Sequence, residues 1–466
     1  MALSPEEQYI RMTQTPIPRL IGRLAAPTMV SMMTTSIYNM ADTFFVGQLG
    51  TSATGAVGVV FSLMAIIQAV GFTFGMGAGS CISRLLGQRK EEEAGRMLST
   101  AFFTAVFAGL LITAGGLAFL KPLMKLLGAT DTILPFACDY ARYILLGAPW
   151  MCAVFVMNNC LRSEGQAFLS MMGVASGGVL NCVLDPLFIF GLDLGISGAA
   201  IATVLSQMVS FGILLSHFLR GRANTRLHPK LFTFRWSVYR EILRIGAPTF
   251  FRQGLSSISS VLLNTAAGGF GDAAIAAMSI VSKVSMFIFS ALLGFGQGFQ
   301  PVSGYNWGAR RFDRLWDAYW FCVKVSAAGL VVMGAAGFLL APQIIGAFSR
   351  ESARVVEIGV YAFRVQCALY PIQSVIVLSN MLFQSIGKAK EAAVLALSRQ
   401  GLCFFPMILA LPLFFDVRGI QWAQPAADLL TLGITVVLAG CFLKKLAGMR
   451  QAALKEQTGG RPAEKS

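Results

Sequence analysis

Charge is scarce in this sequence, and histidine scarcer. Of 466 residues, 13% are charged and two are histidine, whereas a soluble domain carries about 25% charged residues. His217 and His228 have no cysteine or histidine partner at ligand spacing, which argues against a metal centre. The nine cysteines contain no CxxC. Cys152, Cys182 and Cys403 lie inside apolar runs and read as small buried hydrophobes, with no disulfide implied. There is no HExxH, no Ser/His/Asp arrangement and no GxxxxGK[ST] loop, so an intramembrane enzyme and an ATP-driven pump both lack their machinery. The N-terminus is polar, carries Pro5, Pro16 and Pro18, and lacks the apolar core and small-residue cleavage site of a signal peptide.

Apolar residues make up 55% of the chain and come in long runs, such as Val59 to Cys81 and Leu330 to Pro342. About 20 such residues span the hydrocarbon core as a helix, the form in which a backbone satisfies its own hydrogen bonds in lipid. The expected fold is therefore all-α and polytopic. Its roughly twelve spans lie near 24–46, 52–82, 98–120, 134–160, 167–190, 196–219, 246–270, 275–304, 318–341, 355–384, 392–414 and 419–443. Lysine and arginine crowd alternate loops, including Arg84 to Arg96, Arg162, the stretch 220–244, Arg310 to Arg314 and the C-terminal tail. The opposite loops hold only Lys121, Lys125, Arg350, Arg354 and Arg418. The positive-inside rule then puts both termini in the cytoplasm. The formal charge of +15 is mostly this topological signal, and no nucleic-acid partner is expected.

The chain also repeats. Leu24-Ala25-Ala26-Pro27-Thr28 matches Ile245-Gly246-Ala247-Pro248-Thr249, Gly87-Gln88-Arg89-Lys90 matches Gly308-Ala309-Arg310-Arg311, and Gly165-Gln166-Ala167 matches Gly387-Lys388-Ala389, all at offsets of 221 to 222 residues. The expected organisation is an N-terminal six-helix lobe (1–220), a basic linker (221–244), a C-terminal six-helix lobe (245–445) and a polar tail (446–466). Parallel repeats are related by an axis along the membrane normal, with the substrate site between them. Glycines inside spans, such as Gly71 to Gly79 and Gly294 to Gly298, fit close helix packing, and they also provide weak points for bending beside Pro27, Pro186 and Pro248.

An ionisable residue within a span is a functional hypothesis by default. Asp42 and Asp185 qualify, and Asn181 shares a helix face with Asp185. The ordinary alternative for either acid is a helix-end residue in outer water. Nearby carboxyl groups in apolar surroundings exchange protons readily, or hold Na⁺ with neighbouring oxygens. Asp428, Arg252 and Lys283 lie in spans of the second half, where an interhelical ion pair is the simplest role. Met and Phe side chains with Gln253, Gln297, Tyr370 and Gln373 are expected to line a substrate cavity, because soft, adaptable side chains suit promiscuous binding. No ring of charges suggests a channel.

Asp42-Thr43-Phe44-Phe45-Val46-Gly47-Gln48-Leu49-Gly50, Asn158 to Gly165, Asn181 to Pro186, Gly195 to Ala200, and Gln300-Pro301 through Gly308-Ala309-Arg310 occur in order along the chain. In these motifs the sequence resembles the multidrug and toxic compound extrusion family, and within it the DinF/MepA-like branch. The resemblance implies two six-helix lobes and export of amphipathic organic cations in exchange for H⁺ or Na⁺. It implies no other cofactor. It places a cation site at Asp42, Asn181 and Asp185, with Asn158, Thr203 and Tyr140 as further members. If Na⁺ is the coupling ion, its ligands are Asp42, Asn181 and Asp185. The NorM-like branch has a glutamate in the seventh helix and an aspartate in the tenth. Here those spans carry Phe251-Arg252-Gln253-Gly254 and Gln373 with Asn380, which speaks against a cation site in the second lobe. The expected setting is a bacterial or archaeal inner membrane, with drugs or dyes and membrane lipid as partners and a monomeric state. A flippase of a lipid-linked or polar-headgroup substrate shares the two-lobed plan and is the alternative.

Overall fold

Pro5, Glu6 and Glu7 open a short helix capped by Ser4, whose hydroxyl accepts from the Glu7 N–H while the Glu7 side chain returns to the Ser4 N–H. This capping box starts α1 (Pro5–Gln14), an element absent from the expected spans. The remaining helices, in a computed structural model that describes residues 4–348 and 352–459, are α2 (Ile17–Gly47), α3 (Thr51–Gly87), α4 (Glu91–Ala118), α5 (Leu120–Leu126), α6 (Leu134–Ser163), α7 (Ala167–Pro186), α8 (Gly195–Leu219), α9 (Trp236–Gly268), α10 (Asp272–Gly308), α11 (Phe312–Phe348), α12 (Ala353–Ser385), α13 (Ala389–Leu397) and α14 (Phe404–Gly459). No strand occurs among the described residues. A π turn over Leu187–Gly191 extends α7 past Pro186, and a second over Ser398–Leu402 joins α13 to α14. Asp416, at φ 49° and ψ −133°, breaks α14 into two crossings.

Nine of these elements are long and apolar enough to cross a membrane, and the last runs through both sides of the Asp416 break. Helices α2 and α9 complete the twelve. Each exceeds 30 residues but falls short in hydropathy, since both carry arginines near their starts and polar side chains at the junction between halves. Of the expected domain limits, the linker 221–244 contains a 3₁₀ turn at Pro229–Leu231 and the first residues of α9. The helical part of the 446–466 tail continues α14, while 460–466 and Arg350 lie outside the described residues.

The two halves meet through a reciprocal seam. A Cβ placed on Gly87 would lie 2.3 Å from the Tyr305 carbonyl oxygen, and one on Gly308 would lie 2.2 Å from the Arg84 carbonyl oxygen. Residues 84 and 305, like 87 and 308, are one repeat apart, so these contacts exchange under a two-fold operation, as an isologous interface requires. Gly246 against Thr73 and Gly294 against Met29 and Thr28 extend the pattern. The fold is thus two six-helix lobes related by a pseudo-two-fold axis along the membrane normal.

All these contacts belong to the end that carries both termini. Across them, Arg84 pairs with Glu241 at 3.0 Å, and Thr28 donates to the Gly294 carbonyl at 2.6 Å. Helix α1 straps the same end. On the first lobe, Gln8 donates to the Glu164 carbonyl (2.7 Å) and Glu6 pairs with Arg89 (2.9 Å). On the second, Asn306 donates to the Met12 carbonyl (3.3 Å) and Arg314 to the Thr15 carbonyl (2.6 Å). Toward the other end the last side-chain hydrogen bonds between lobes, among the described residues, are Ser36 with Ser290 (2.9 Å) and Gln253 with Gln68 (3.5 Å). Beyond them Gly58 and Gly254 have open space around them, and the lobes part into a cleft.

Candidate functional site

Asp42 lies about 9 Å along α2 beyond Ser36, in the part of the first lobe that flanks the cleft. The α-helical spacing of α7 sets Asn181 one turn before Asp185, and the Asn181 amide donates to Asp185 Oδ1 at 3.0 Å. The same amide reaches Thr203 Oγ1 of α8 at 3.4 Å. Tyr140 enters from α6, fully buried, beside Thr203 but without completing a hydrogen bond. Asp42 closes the group from α2, near enough for its charge to act on Asp185, Tyr38 and Tyr140. Four helices thereby bring five of the six expected residues together.

What distinguishes this cluster is its unfilled oxygens. Asp42 Oδ1, Asn181 Oδ1, Asp185 Oδ2, the Tyr140 hydroxyl and Ser206 Oγ are all buried without a partner. Most buried polar atoms in a folded protein have a hydrogen-bond partner, so these exceptions on α2, α6, α7 and α8 leave oxygen acceptors that could take a proton or a small cation. Carboxylate and amide oxygens are hard donors, matched to such an ion. Ser206 and Tyr38 were not among the expected residues. Ser206 sits one turn from Thr203 on α8, and that spacing was the signal for it.

Asn158 is elsewhere. It stands 18 residues along α6 from Tyr140, about 27 Å by helical rise. It accepts from the Ser170 hydroxyl, and its repeat partner Asn380 donates to the Ala392 carbonyl at 2.9 Å. Residues 170 and 392 are also one repeat apart, so both asparagines tie a helix end to the start of the next helix.

The four expected substrate residues are dispersed. Gln253 reaches across the cleft floor to Gln68. Gln297 is buried in the closed seam, where its Oε1 accepts from Arg162 Nη1 at 2.6 Å. Arg162, read from sequence as a loop cation, is only 2% exposed, because the last turn of α6 tucks it between the lobes against Asn159 and Met76. Tyr370 donates to Ser285 at 2.9 Å, and Ser285 donates to Gln366 at 2.6 Å. Gln373 donates to Asp428.

Asp428 does form an ion pair, but with neither Arg252 nor Lys283. Its Oδ1 accepts from Arg399 Nε at 3.0 Å and from Gln424 at 3.0 Å. Arg399 sits in the π turn, where the wider winding turns its side chain toward the last crossing, and its guanidinium lies 4.4 Å from the centre of the Phe289 ring. An arginine inside the 392–414 span was visible in the sequence and was the missed signal.

Below the seam, Glu164 just past the end of α6 is fully buried. It accepts from the Asn224 N–H (2.7 Å), the Thr225 N–H (3.3 Å) and the Thr225 hydroxyl. Burial pushes its carboxyl up to about 7, against the opposing pull of those donors.

The MatE family model matches this chain twice, over residues 27–187 and 248–409, which is the repeat read from the sequence. The multidrug export protein MepA of Staphylococcus aureus is 26% identical over 424 residues, covering 91% of this chain and 93% of that one. MepA of Staphylococcus saprophyticus is 26% identical over 427 residues, with the same shares covered. Among solved structures, a MATE protein in complex with MaL6 superposes with a TM-score of 0.90 at 25% identity, covering 95% of this chain and 99% of that one. A MOP superfamily transporter from Pyrococcus furiosus, described as having a binding pocket of reversed polarity, gives 0.89 at 26% identity over 95% and 99%. The twice-matched family model, spanning both lobes, establishes that this chain belongs to the MatE family of multi-pass membrane transporters.

Proposed function

We propose that this protein is a secondary active exporter of amphipathic organic compounds, driven by antiport with H⁺ or Na⁺. The observation that supports this best is the cluster of buried, unpartnered oxygens around Asp42 and Asp185. A group left in that condition in an apolar interior is costly, and a bound proton or Na⁺ relieves it. Loading therefore changes how α2 packs against α7. Substrate affinity then differs between loaded and empty states, as coupled exchange requires. Moving one charge through 100 mV is worth about 2.3 kcal/mol, enough for one cation to support a substantial substrate gradient. The names of the relatives as multidrug export proteins agree with this reading.

We take the closed end with both termini as cytoplasmic, from the lysine and arginine distribution. The cleft then opens outward, the state in which an exporter releases substrate and loads its coupling ion. The lobes correspond to about 1–220 and 245–445, and the working unit is the monomer in a bacterial or archaeal inner membrane. Gln253, Tyr370 and Gln373 are assigned to the substrate path as it opens, with Gln297 joining when the seam parts.

The test is dye efflux from proteoliposomes under an imposed pH or Na⁺ gradient. Asp42→Asn and Asp185→Asn are each expected to abolish gradient-driven efflux in a protein that still inserts and melts normally. Undiminished efflux by the double variant at matched reconstitution would remove the coupling site from the first lobe. A second reading, flipping of a substrate with an anionic headgroup, draws on the cationic side chains Arg252 and Lys283.

A further inference from the structure

The two lobes carry opposite charge in their membrane halves. Within its spans the first carries Asp42, Asp139 and Asp185 against Arg142. The second carries Arg252, Lys283, Lys324, Arg364 and Arg399 against Glu357, which pairs with Arg354, and Asp428, which Arg399 already occupies. Arg252 follows Ile245 and Thr249 at helical spacing on α9 and precedes Ser259, which donates to the Gln400 carbonyl at 2.6 Å. That face looks into the second lobe, and Arg252 lies close enough to Arg399 for the two charges to repel. No carboxylate and no hydrogen bond is found for the Arg252 guanidinium among the described residues, and its side chain is half-buried, with none of its nitrogens fully enclosed. Lys283 stands two turns before Ser290 on α10. Since Ser290 touches Ser36 of the opposite lobe, this spacing puts Lys283 on the cleft-facing side, where it is exposed and makes no ion pair among the described residues.

A cation at membrane depth normally finds a partner. Two that lack one, beside an arginine whose single acid is already engaged, make a site lacking its anion. We propose that the second-lobe wall of the cleft, centred on Arg252 with Lys283 at its mouth, binds a carboxylate or phosphate group of an amphipathic substrate. The carried compound is then an organic anion or zwitterion rather than a simple organic cation. The Asp428–Arg399 pair holds the neighbouring guanidinium against Phe289, so Arg252 is the free donor. Its planar fork suits a carboxylate or phosphate. The exposed Phe251 and Met286 nearby provide apolar contact for the body of the ligand. The proposal rests on the exporter reading, from which its test is separated by measuring binding rather than transport.

Rhodamine 110 carries a free carboxyl group, and rhodamine 123 is its methyl ester. Binding of both to the purified full-length protein is followed by fluorescence anisotropy. The acid is expected to bind at least tenfold more tightly than the ester. Arg252→Gln removes that preference, Arg252→Lys retains part of it, and Lys283→Gln weakens the acid by a few-fold with the ester unchanged. If Arg252→Gln does not fold, the wild-type preference and Lys283→Gln still decide. Equal affinity for the two dyes, or an Arg252→Gln protein that keeps the preference, overturns the proposal. Phosphatidylglycerol added to the micelles separates the sources of the anion. Displacement of rhodamine 110 by it assigns the site to a lipid headgroup, and failure to displace assigns it to a soluble amphiphile. Gradient-driven efflux of rhodamine 110 from proteoliposomes tests the exporter reading separately, since the binding preference is measured with no gradient: binding without efflux counts against the exporter, and efflux without the preference counts against the Arg252 site.

Discussion

Gly77 lies where α3 crosses the start of α9. A methyl group there would come 2.1 Å from the Ile242 carbonyl oxygen, where ordinary contact begins at 3.4 Å. The obstacle is backbone on a long helix, so no side chain can rotate away, and the seam must widen by about 1 Å or open. Overpacking of this kind costs about 1–3 kcal/mol, and 1.4 kcal/mol is a tenfold change in an equilibrium constant. Gly77→Ala should therefore depopulate the closed seam by roughly five- to a hundredfold relative to a state in which the terminal end is open and the clash is gone. Spin labels at Glu92 of the first lobe and Arg310 of the second, both exposed, report the separation of the lobes at that end once Cys441, the exposed native cysteine, is replaced by serine. The distribution should move to longer distances. Gly109→Ala is the control, because its methyl would meet Pro149 at 2.6 Å inside one lobe. It should lower the melting temperature and leave the distance unchanged. The same distribution in Gly77→Ala and wild type, or an equal shift in the control, would refute the assignment of this seam as the gate.

Glu164 and Asp428 give two further tests. Burial raises the Glu164 carboxyl from 4.5 to about 7, so the folded state holds a proton that the unfolded state has lost. Stability should fall as pH rises from about 4.5 through 7, by up to roughly 3 kcal/mol, and melting curves of Glu164→Gln should lose that slope; an unchanged slope would assign it to another group. Asp428→Asn strips the half-buried Arg399 of its counter-charge, which costs about 1–3 kcal/mol, less than for a fully buried pair, and thermal unfolding should show most of the loss recovered in the Asp428→Asn, Arg399→Gln double variant.

The repeat and the runs of apolar residues made most of this architecture legible. Matches such as Gly87 with Gly308 marked the very residues that meet across the two-fold seam, because only glycine lets the backbones approach so closely there. Asp42, Asn181 and Asp185 could be read because acids are rare in spans and i, i+4 spacing is local. Other features depended on tertiary geometry. Arg162 reads as a loop cation by position, and only packing of the lobes buries it against Gln297. Arg399 escaped notice because its partner lies 29 residues away across a π turn, which hydropathy does not register. Helix α1 is too short and polar to resemble a span, and its role comes from where it docks. Asn158 belongs to a family motif, but it fastens a helix end.

Shape and chemistry obey different symmetries in this chain. The glycine seam, the paired prolines Pro27 and Pro248, and the matched asparagines Asn158 and Asn380 repeat across the axis, as two lobes must if they rock against each other about one line. The polar interior does not repeat. Leu263 occupies the place where a second Asp42 would fall, Thr203 corresponds to Gln424, and Gln68 to Phe289. A fully symmetric cation site would bias both lobes alike and give loading no preferred lobe to act on. Two intramembrane acids, Asp42 and Asp185, lie in the first lobe, so on the proposed coupling a proton or Na⁺ would act on α2 and the helices packed around it, and α2 is also the helix whose Thr28 and Ser36 grip α10 across the seam. Helix α2 would thus join the proposed site to the seam. Its start is held by the α1 strap, its middle carries the contacts between lobes, and its far end carries Asp42.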